Sequence, residues 1–179
     1  GISNIEYMQA DILDIGALNR KFDIIESAGV LHHMGDPMAG WKVLADCLNT
    51  GGLMKIGLYS ESARQHIVKI RDEIKKSNID SNDDAMRSFR NHIVSSKKEH
   101  HKLIISSSDF YSMSTFRDLL FHVQEHRFSI PQIKDCLERL GLIFCGFEHH
   151  NMSLISKDFP KNDVYCLDKW NEYEKDNPE

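Results

Sequence analysis

The sequence lacks any apolar run near the roughly 18 residues that a membrane-spanning helix needs. Its first residues have neither the basic nor the apolar region of a secretory signal peptide. It has only four cysteines, at wide and irregular spacings, namely Cys47, Cys136, Cys145 and Cys166. This pattern favours reduced structural thiols over a disulfide framework. We therefore expect a cytoplasmic protein that is neither exported nor anchored in a membrane.

The sequence also has fewer basic than acidic residues. Its 22 Lys and Arg and 27 Asp and Glu give a formal net charge of −5. An acidic protein is not attracted to a phosphate backbone or to an anionic membrane surface, so we expect neither nucleic acid nor membrane as the main partner. The 179 residues contain 41% hydrophobic and 27% charged residues. That composition is typical of a folded chain, and the length predicts one domain with its own core.

Short metal-binding motifs are missing as well. The histidine pairs His100-His101 and His149-His150 suggest metal ligands. However, no C-x-x-C, H-x-H or H-E-x-x-H spacing gathers ligands on one element. The sequence therefore predicts no metal site.

The first third of the chain predicts strands alternating with a helix. Ile5–Ile12, Phe22–Val30 and Leu53–Tyr59 are rich in residues that favour buried strands. A helix is predicted from the Asp36-Pro37 N-cap to Leu48, and a turn follows at residues 49–52. This alternation indicates an α/β fold with a parallel, doubly wound sheet.

The rest of the chain predicts mostly helices. An amphipathic helix capped by Ser60 precedes a polar stretch, residues 75–128, which we interpret as an inserted helical lid. One helix predicted within this stretch begins with a variant of the capping box, formed by Ser81 and Asp84. Beyond it we predict a helix at Ile130–Leu140, a strand at Leu142–Glu148 and a final helix, which carries Leu167, Trp170 and Tyr173 at helical spacing.

Two segments carry a resemblance to a known family. From Phe22 to Ser60, the "FDII" strand, the "VLHH" that follows it and the "LNTGGL" turn resemble the fourth and fifth strands of class I S-adenosylmethionine-dependent methyltransferases. The stretch Asp109–Ile133 is similar to the methyltransferase domain fused to tetratricopeptide repeats in bacterial proteins. The resemblance implies a Rossmann-like sheet, with residues 1–179 as a single partial domain and residues 75–128 as its helical insert.

The sequence departs from this family at both ends. It contains no G-x-G-x-G motif and no acidic residue at the end of a second strand. The family also continues beyond the equivalent of Asn177-Pro178 into a last strand. We therefore expect an incomplete sheet without its first two strands and its last strand, in a truncated and inactive piece of a longer enzyme.

The resemblance implies a cofactor site for S-adenosylmethionine in the first part of the chain. Asp11 would accept a hydrogen bond from the adenine amino group, with the Ile12 backbone alongside. The expected contacts at the carboxyl end of the Phe22–Val30 strand are Glu26, Ser27, Ala28 and Gly29. Without the resemblance, Asp11 is a solvated loop aspartate, whereas Glu26 fits an ordinary polar strand end as well as it fits a ligand contact.

Catalytic and acceptor residues are expected further along. His32 or His33 would take a proton from the acceptor. In the alternative interpretation, one histidine packs and the other caps the next helix. The resemblance implies an acceptor pocket formed by an aromatic and ionisable set, comprising Tyr59, Phe110, Tyr111, His122, Glu125 and His126. Taken alone, Phe110 is more typical of a core residue.

These residues support two hypotheses about function. The first is methyl transfer to an oxygen or nitrogen of a small-molecule or protein acceptor. The second is a binding or regulatory module that keeps the fold without catalysis. Missing strands would leave the Phe22–Val30 strand with an open edge. We expect either the Ile5–Ile12 strand to cover it or two chains to pair there as a homodimer.

Overall fold

A computed structural model describes residues 3–122, 124–148, 159 and 163–177. The chain divides into two compact units. The first unit comprises Gly1–Leu58 and Ile130–Asn171, and the second comprises Tyr59–Ser129 and Glu172–Glu179. The single domain with an insert at residues 75–128 stays a prediction.

The first unit is built on two parallel strands joined through a helix. Strand β1 is Phe22–Ala28, helix α1 is Pro37–Asp46 and strand β2 is Leu48–Gly57. The strands pair in parallel from Ile24 opposite Leu53 to Ala28 opposite Gly57. The predicted strand, helix and strand are thus confirmed, although β1 ends before Val30 and β2 begins before Leu53.

The predicted turn at residues 49–52 lies inside β2 as an irregularity in the pairing. Phe22 pairs with Leu48, whereas Ile24 already pairs with Leu53. A Cβ on Gly52 would lie 2.9 Å from the carbonyl oxygens of Asn49 and Asp23. A side chain is excluded there, so glycine lets the extra residues fold back without breaking the strand.

Helix α1 begins as its sequence predicts. The Asp36 side chain accepts hydrogen bonds from the backbone N–H groups of Met38 at 2.9 Å and Ala39 at 3.2 Å. Pro37 occupies the first turn, where its missing N–H costs nothing. The helix ends at Asp46, and its Trp41 and Leu44 are buried.

Two strand predictions for the first unit are wrong. Residues 5–11 have no regular secondary structure, and Ile12–Leu18 form a 3-10 helix. Leu142–Glu148 is likewise irregular. A strand needs a hydrogen-bonded neighbour as well as suitable residues. Tyr7 and Ile143, which are 90% and 88% exposed, show how little packs on these segments.

The ends of the first unit follow the sequence predictions closely. Helix α6 is Ile130–Leu140, and Gly141 directly after it has φ +66°, which glycine adopts without strain. Helix α7 is Leu167–Asp176, of which residues 167–171 belong to the first unit and residues 172–176 to the second. Its Trp170 ring stacks on Phe159, with 4.4 Å between the ring centroids.

In its described residues, the second unit contains a short parallel pair and four complete α-helices. Strand β3, Tyr59–Ser60, pairs with strand β4, Arg127–Phe128. The helices are α2 (Gln65–Lys76), α3 (Asp83–Ser95), α4 (Glu99–Ile105) and α5 (Met113–Phe121). Their buried residues form one hydrophobic cluster, namely Ile67, Ile70, Ile74, Met86, Phe89, Ile93, Ile104, Phe110, Phe116, Leu119 and Leu120.

Two predicted helix caps are corrected in this unit. Ser60 belongs to β3, and α2 begins only at Gln65. Asn82 caps α3 in place of Ser81, because its side chain accepts a 2.9 Å hydrogen bond from the N–H of Ala85. Either side chain type can cap, so the sequence alone did not separate neighbouring candidates.

The fold is therefore mixed α/β. Among the residues that the structure describes, the strands form two sheets of two strands each, both parallel. No helix in this described part is long and apolar enough to cross a membrane.

Candidate functional site

The backbone at the carboxyl end of β1 approaches β2 closely. A Cβ on Gly57 would lie 3.1 Å from Cα of Ala28 and 3.2 Å from its Cβ. Gly57 therefore lets the two strands approach closely at this point. Gly29, immediately after β1, has φ +76°, a conformation in which most side chains are strained. The chain therefore turns sharply at the strand end, where open α/β sheets hold their ligands.

Two of the predicted cofactor residues on β1 differ in their surroundings. The Glu26 carboxylate is 3.2 Å from the Lys55 ammonium, which also lies 2.6 Å from Glu148. Hydrogen bonds to Glu148 and then Glu26 raise the pKa of Lys55. Ser27 is 7% exposed, and its hydroxyl has no hydrogen-bond partner among the described residues. Glu26 is thus an ion-pair partner, whereas Ser27 retains an unused polar group.

Asp11 lies at the start of the 3-10 helix. Its side chain accepts a 2.9 Å hydrogen bond from the N–H of Leu13 and serves as the N-cap. Ile12 is half-buried and is the first residue of that helix. Asp11 is exposed to solvent, so a ligand can reach its carboxylate.

The two candidate catalytic histidines lie in a 3-10 turn, Leu31–His33, shortly after β1. His32 is 1% exposed, whereas His33 is half-buried. Their rings meet edge to face, with 4.3 Å between the centroids. The expectation that one histidine packs is confirmed by His32. The expectation that the other caps the next helix is wrong, because Asp36 caps α1. His33 is the more accessible imidazole of the pair.

Glu125, a predicted acceptor residue, lies in the second unit among three arginines. Its side chain is 1% exposed and accepts hydrogen bonds from Arg64 at 2.9 and 3.1 Å and from Arg71 at 3.0 Å. Arg127 lies 3.7 Å away. Burial lowers the pKa of Arg71, and the negative charge of Glu125 opposes that effect. We call Arg64, Arg71, Arg127 and Glu125 the arginine cluster.

The arginine cluster brings Glu125 and Tyr59 together. The Arg64 guanidinium lies over the Tyr59 ring, 3.6 Å from its centroid. Arg71 also donates hydrogen bonds to the carbonyl oxygen of Leu119 in the last turn of α5, at 2.8 and 3.1 Å. The cluster therefore ties β3, α2, α5 and β4 to one buried carboxylate.

The remaining predicted acceptor residues are spread over the second unit. Phe110 is 1% exposed and packs edge to face on Phe116 inside the hydrophobic cluster. Tyr111 is 62% exposed, and its hydroxyl donates to the carbonyl oxygen of Ile105 at 3.0 Å. His122 and His126 both interact with Gln124, at 2.7 and 3.3 Å. Phe110 thus lies in the core, while Tyr111 is open to solvent.

One group of potential ligands was missed by the sequence motifs. Glu73 on α2 and His100 and His101 on α4 each offer one ligand atom, and these atoms lie within 4.8 Å of one another. We call these three residues the His-Glu cluster. Motif spacing describes ligands on one element, so it does not detect a group shared by two helices. His149 and His150, the other pair considered, lie outside the described residues.

The His-Glu cluster is also electrostatically distinct. Burial lowers the pKa of His101, although the negative charge of Glu73 opposes the shift. Burial alone would raise the pKa of Glu73. Hydrogen bonds from Lys98 and His100 outweigh that effect and lower the pKa of Glu73 to about 2. Glu73 is consequently ionised at neutral pH.

Comparison with known proteins gives a similarity to an uncharacterized protein but no family. No family model matches the chain. The chain is 26% identical over 181 residues to an uncharacterized protein of Synechococcus sp. (strain ATCC 27144 / PCC 6301 / SAUG 1402/1). The match covers 94% of this chain and 43% of that protein. The chain thus spans less than half the length of this curated relative.

Proposed function

We propose that the chain is part of a class I methyltransferase that transfers a methyl group from S-adenosylmethionine to an oxygen or nitrogen acceptor. The observation that carries this proposal is the parallel β1-α1-β2 unit with residues 26–29 at the carboxyl end of β1. Ligands of open α/β sheets bind at that end of the strands. The proposal includes a Rossmann-like sheet whose remaining strands lie outside the residues that the structure describes.

The residues of the first unit fit an adenine-bearing cofactor in three respects. Gly29 turns the backbone without a side chain in the way. The buried Ser27 hydroxyl has a hydrogen bond to offer. Asp11 uses one carboxylate oxygen as a helix cap, and a carboxylate can accept further bonds, so it can also accept one from the adenine amino group.

Methyl transfer from S-adenosylmethionine depends mainly on how the protein aligns the acceptor with the cofactor. S-adenosylmethionine supplies an electrophilic methyl group on a sulfonium. The protein must hold the acceptor atom in line with that methyl and take up the proton that the acceptor loses. We assign the proton acceptor to His33, because the His32 ring is enclosed in the protein.

We assign acceptor binding to the second unit. Tyr59, His122 and His126 are half-buried and Tyr111 is exposed, whereas Phe110 and the side chain of Glu125 are buried. Glu125 acts through Arg64, which covers the Tyr59 ring, and Phe110 supports the set from the hydrophobic cluster. A small molecule or a protein side chain would serve as acceptor.

Calorimetric titration with S-adenosylhomocysteine tests the proposal. The titration compares these 179 residues with the protein extended to the full length of its gene. We expect the longer protein to bind. We expect Asp11→Ala to weaken its binding about tenfold, equivalent to about 1.4 kcal/mol for one hydrogen bond to a charged group. Asp14→Ala is the matched control, because Asp14 lies in the first turn of the same 3-10 helix.

Two outcomes would count against the proposal. Absence of binding by the longer protein would leave the non-catalytic binding or regulatory module as the better hypothesis. Equal losses in Asp11→Ala and Asp14→Ala would remove Asp11 from the adenine site, because the effect would then come from charge alone.

We also propose that two chains pair through the first unit. Ile24 and Leu53, which face each other across β1 and β2, are 71% and 58% exposed. Exposed apolar strands recruit other strands. Light scattering after gel filtration would show a dimer that Ile24→Lys disrupts. A monomer at every concentration would rule this pairing out.

A further inference from the structure

The His-Glu cluster joins two helices of the second unit. Nε2 of His100 lies 2.7 Å from Oε1 of Glu73, and Nε2 of His101 lies 3.1 Å from Oε2. The two imidazole rings meet edge to face, with 4.6 Å between their centroids. Two nitrogen ligands and one carboxylate therefore converge on a space a few ångströms across.

Rigid structure supports this convergence. Glu73 precedes Ile74 on α2, and His100 and His101 lie one turn before Ile104 on α4. Ile74 is 8% exposed and Ile104 is fully buried, and both belong to the same hydrophobic cluster. Ligands on well-packed helices need little rearrangement to hold an ion.

His101 is the most buried member of the His-Glu cluster. The His101 side chain is 0% exposed. Its Nδ1 has no hydrogen-bond partner in the part of the chain that the structure describes. Nε2 is therefore the ring nitrogen of His101 that a metal would use, because it already faces the Glu73 carboxylate.

We propose that the His-Glu cluster binds a divalent transition metal ion of the zinc type through His100, His101 and Glu73. Imidazole and carboxylate are a ligand set that zinc accepts, at about 2.0–2.2 Å from each donor atom. Three protein ligands leave the fourth tetrahedral position to water or a substrate atom. The site lies within the second unit and is independent of the proposed methyl transfer.

Lys98 acts as a competitor for the metal. Its ammonium lies 2.8 Å from Oε1 of Glu73, so the carboxylate pairs with Lys98 when no metal is bound. The Lys98 side chain is 51% exposed. It can turn into solvent when an ion enters, because a half-exposed lysine pair contributes little to stability. A metal on Oε1, the oxygen that faces His100, would displace this ammonium, and the positive charge of Lys98 opposes a cation bound anywhere at Glu73.

Calorimetric titration of the chain with zinc chloride in a buffer that does not chelate tests the proposal. We expect one saturable equivalent at the His-Glu cluster. His100→Gln should weaken it about tenfold or more, since loss of even a supporting partner of a ligand costs about 10–100-fold. His66→Gln, a histidine change on α2 outside the cluster, should leave it unchanged. Lys98→Gln should bind zinc more tightly than the wild type.

The comparison is valid only if the variants at the cluster fold like the wild type. His100 is 19% exposed and Lys98 about half exposed, so both changes are tolerable, and circular dichroism verifies the fold. Cobalt can replace zinc as the probe in a second measurement. Its absorption in the visible range reports tetrahedral coordination without relying on the heat measured by calorimetry. Three results would overturn the proposal: no saturable binding by the wild type, equal binding by wild type and His100→Gln, or unchanged affinity in Lys98→Gln.

Discussion

Replacement of Glu125 by glutamine is the most direct test of what holds the second unit together. The carboxylate is 1% exposed and faces Arg64, Arg71 and Arg127, whose side chains are 15%, 18% and 24% exposed. Glutamine keeps the shape but removes the charge, so three guanidinium groups would repel one another around a neutral amide. Breaking a buried ion pair by removing one partner costs about 3–5 kcal/mol.

The expected magnitude follows from these contacts. We take about 3 kcal/mol, the lower end of that range, because the amide oxygen of the substituted side chain still accepts one hydrogen bond. With a urea dependence of about 1–1.5 kcal/mol per M for a unit of this size, the unfolding midpoint should fall by about 2–3 M. Glu61→Gln is the matched control. Glu61 pairs with Arg127 at 3.1 Å but is 44% exposed, so its loss should cost under about 1 kcal/mol.

Two spectroscopic probes separate the units in this assay. Trp41 and Trp170, the two tryptophans, both belong to the first unit, so their fluorescence follows that unit. Far-ultraviolet circular dichroism reports the helices, which predominate in the second unit. We expect the dichroism midpoint to fall in Glu125→Gln. A midpoint equal to that of Glu61→Gln would refute the structural role of the arginine cluster and favour acceptor binding as the reason for this carboxylate.

Three further predictions concern packing, capping and thiol chemistry. Phe116→Ala should lower the free energy of unfolding by about 3–5 kcal/mol in urea titrations, because the ring is fully buried, whereas Val94→Ala at a 58% exposed position should change it by less than about 0.5 kcal/mol. Asp36→Ala should lower the free energy of unfolding by about 1 kcal/mol, because both cap hydrogen bonds of α1 are lost. Asp36→Asn should retain most of that free energy, because an asparagine side chain also caps helices. Equal stability of the two variants in thermal unfolding would argue against the cap. Burial raises the pKa of Cys136, whereas Cys145 is exposed. At about pH 8, iodoacetamide should therefore modify Cys145 before Cys136. Equal labelling of the two thiols in mass spectrometry would contradict the burial of Cys136.

Local signals in the sequence predicted many elements correctly. Asp36-Pro37 predicts the start of α1, because both residues act on the first turn directly. The apolar spacing of Ile67, Ile70 and Ile74 predicts the buried face of α2, and Gly141 predicts the end of α6. These features depend on neighbours within a few residues, so the sequence contains nearly all the information that they need.

Features that depend on distant neighbours were predicted less well. The Ile5–Ile12 and Leu142–Glu148 segments have strand-like residues but no ladder in the described structure. A strand is stabilised by its partner, and composition does not reveal whether a partner is present. Ser60 illustrates the same limit. It pairs with Phe128 of β4, so it is part of strand β3 and does not begin α2.

By itself, the sequence determined most of the helices and the β1-α1-β2 order, because local hydrogen bonds and hydrophobic periodicity decide them. Tertiary structure alone decided that Glu125 lies among three arginines and that Glu73 meets His100 and His101. Both clusters join residues more than 20 positions apart, and only the packing of helices around a shared hydrophobic cluster brings them within bonding distance.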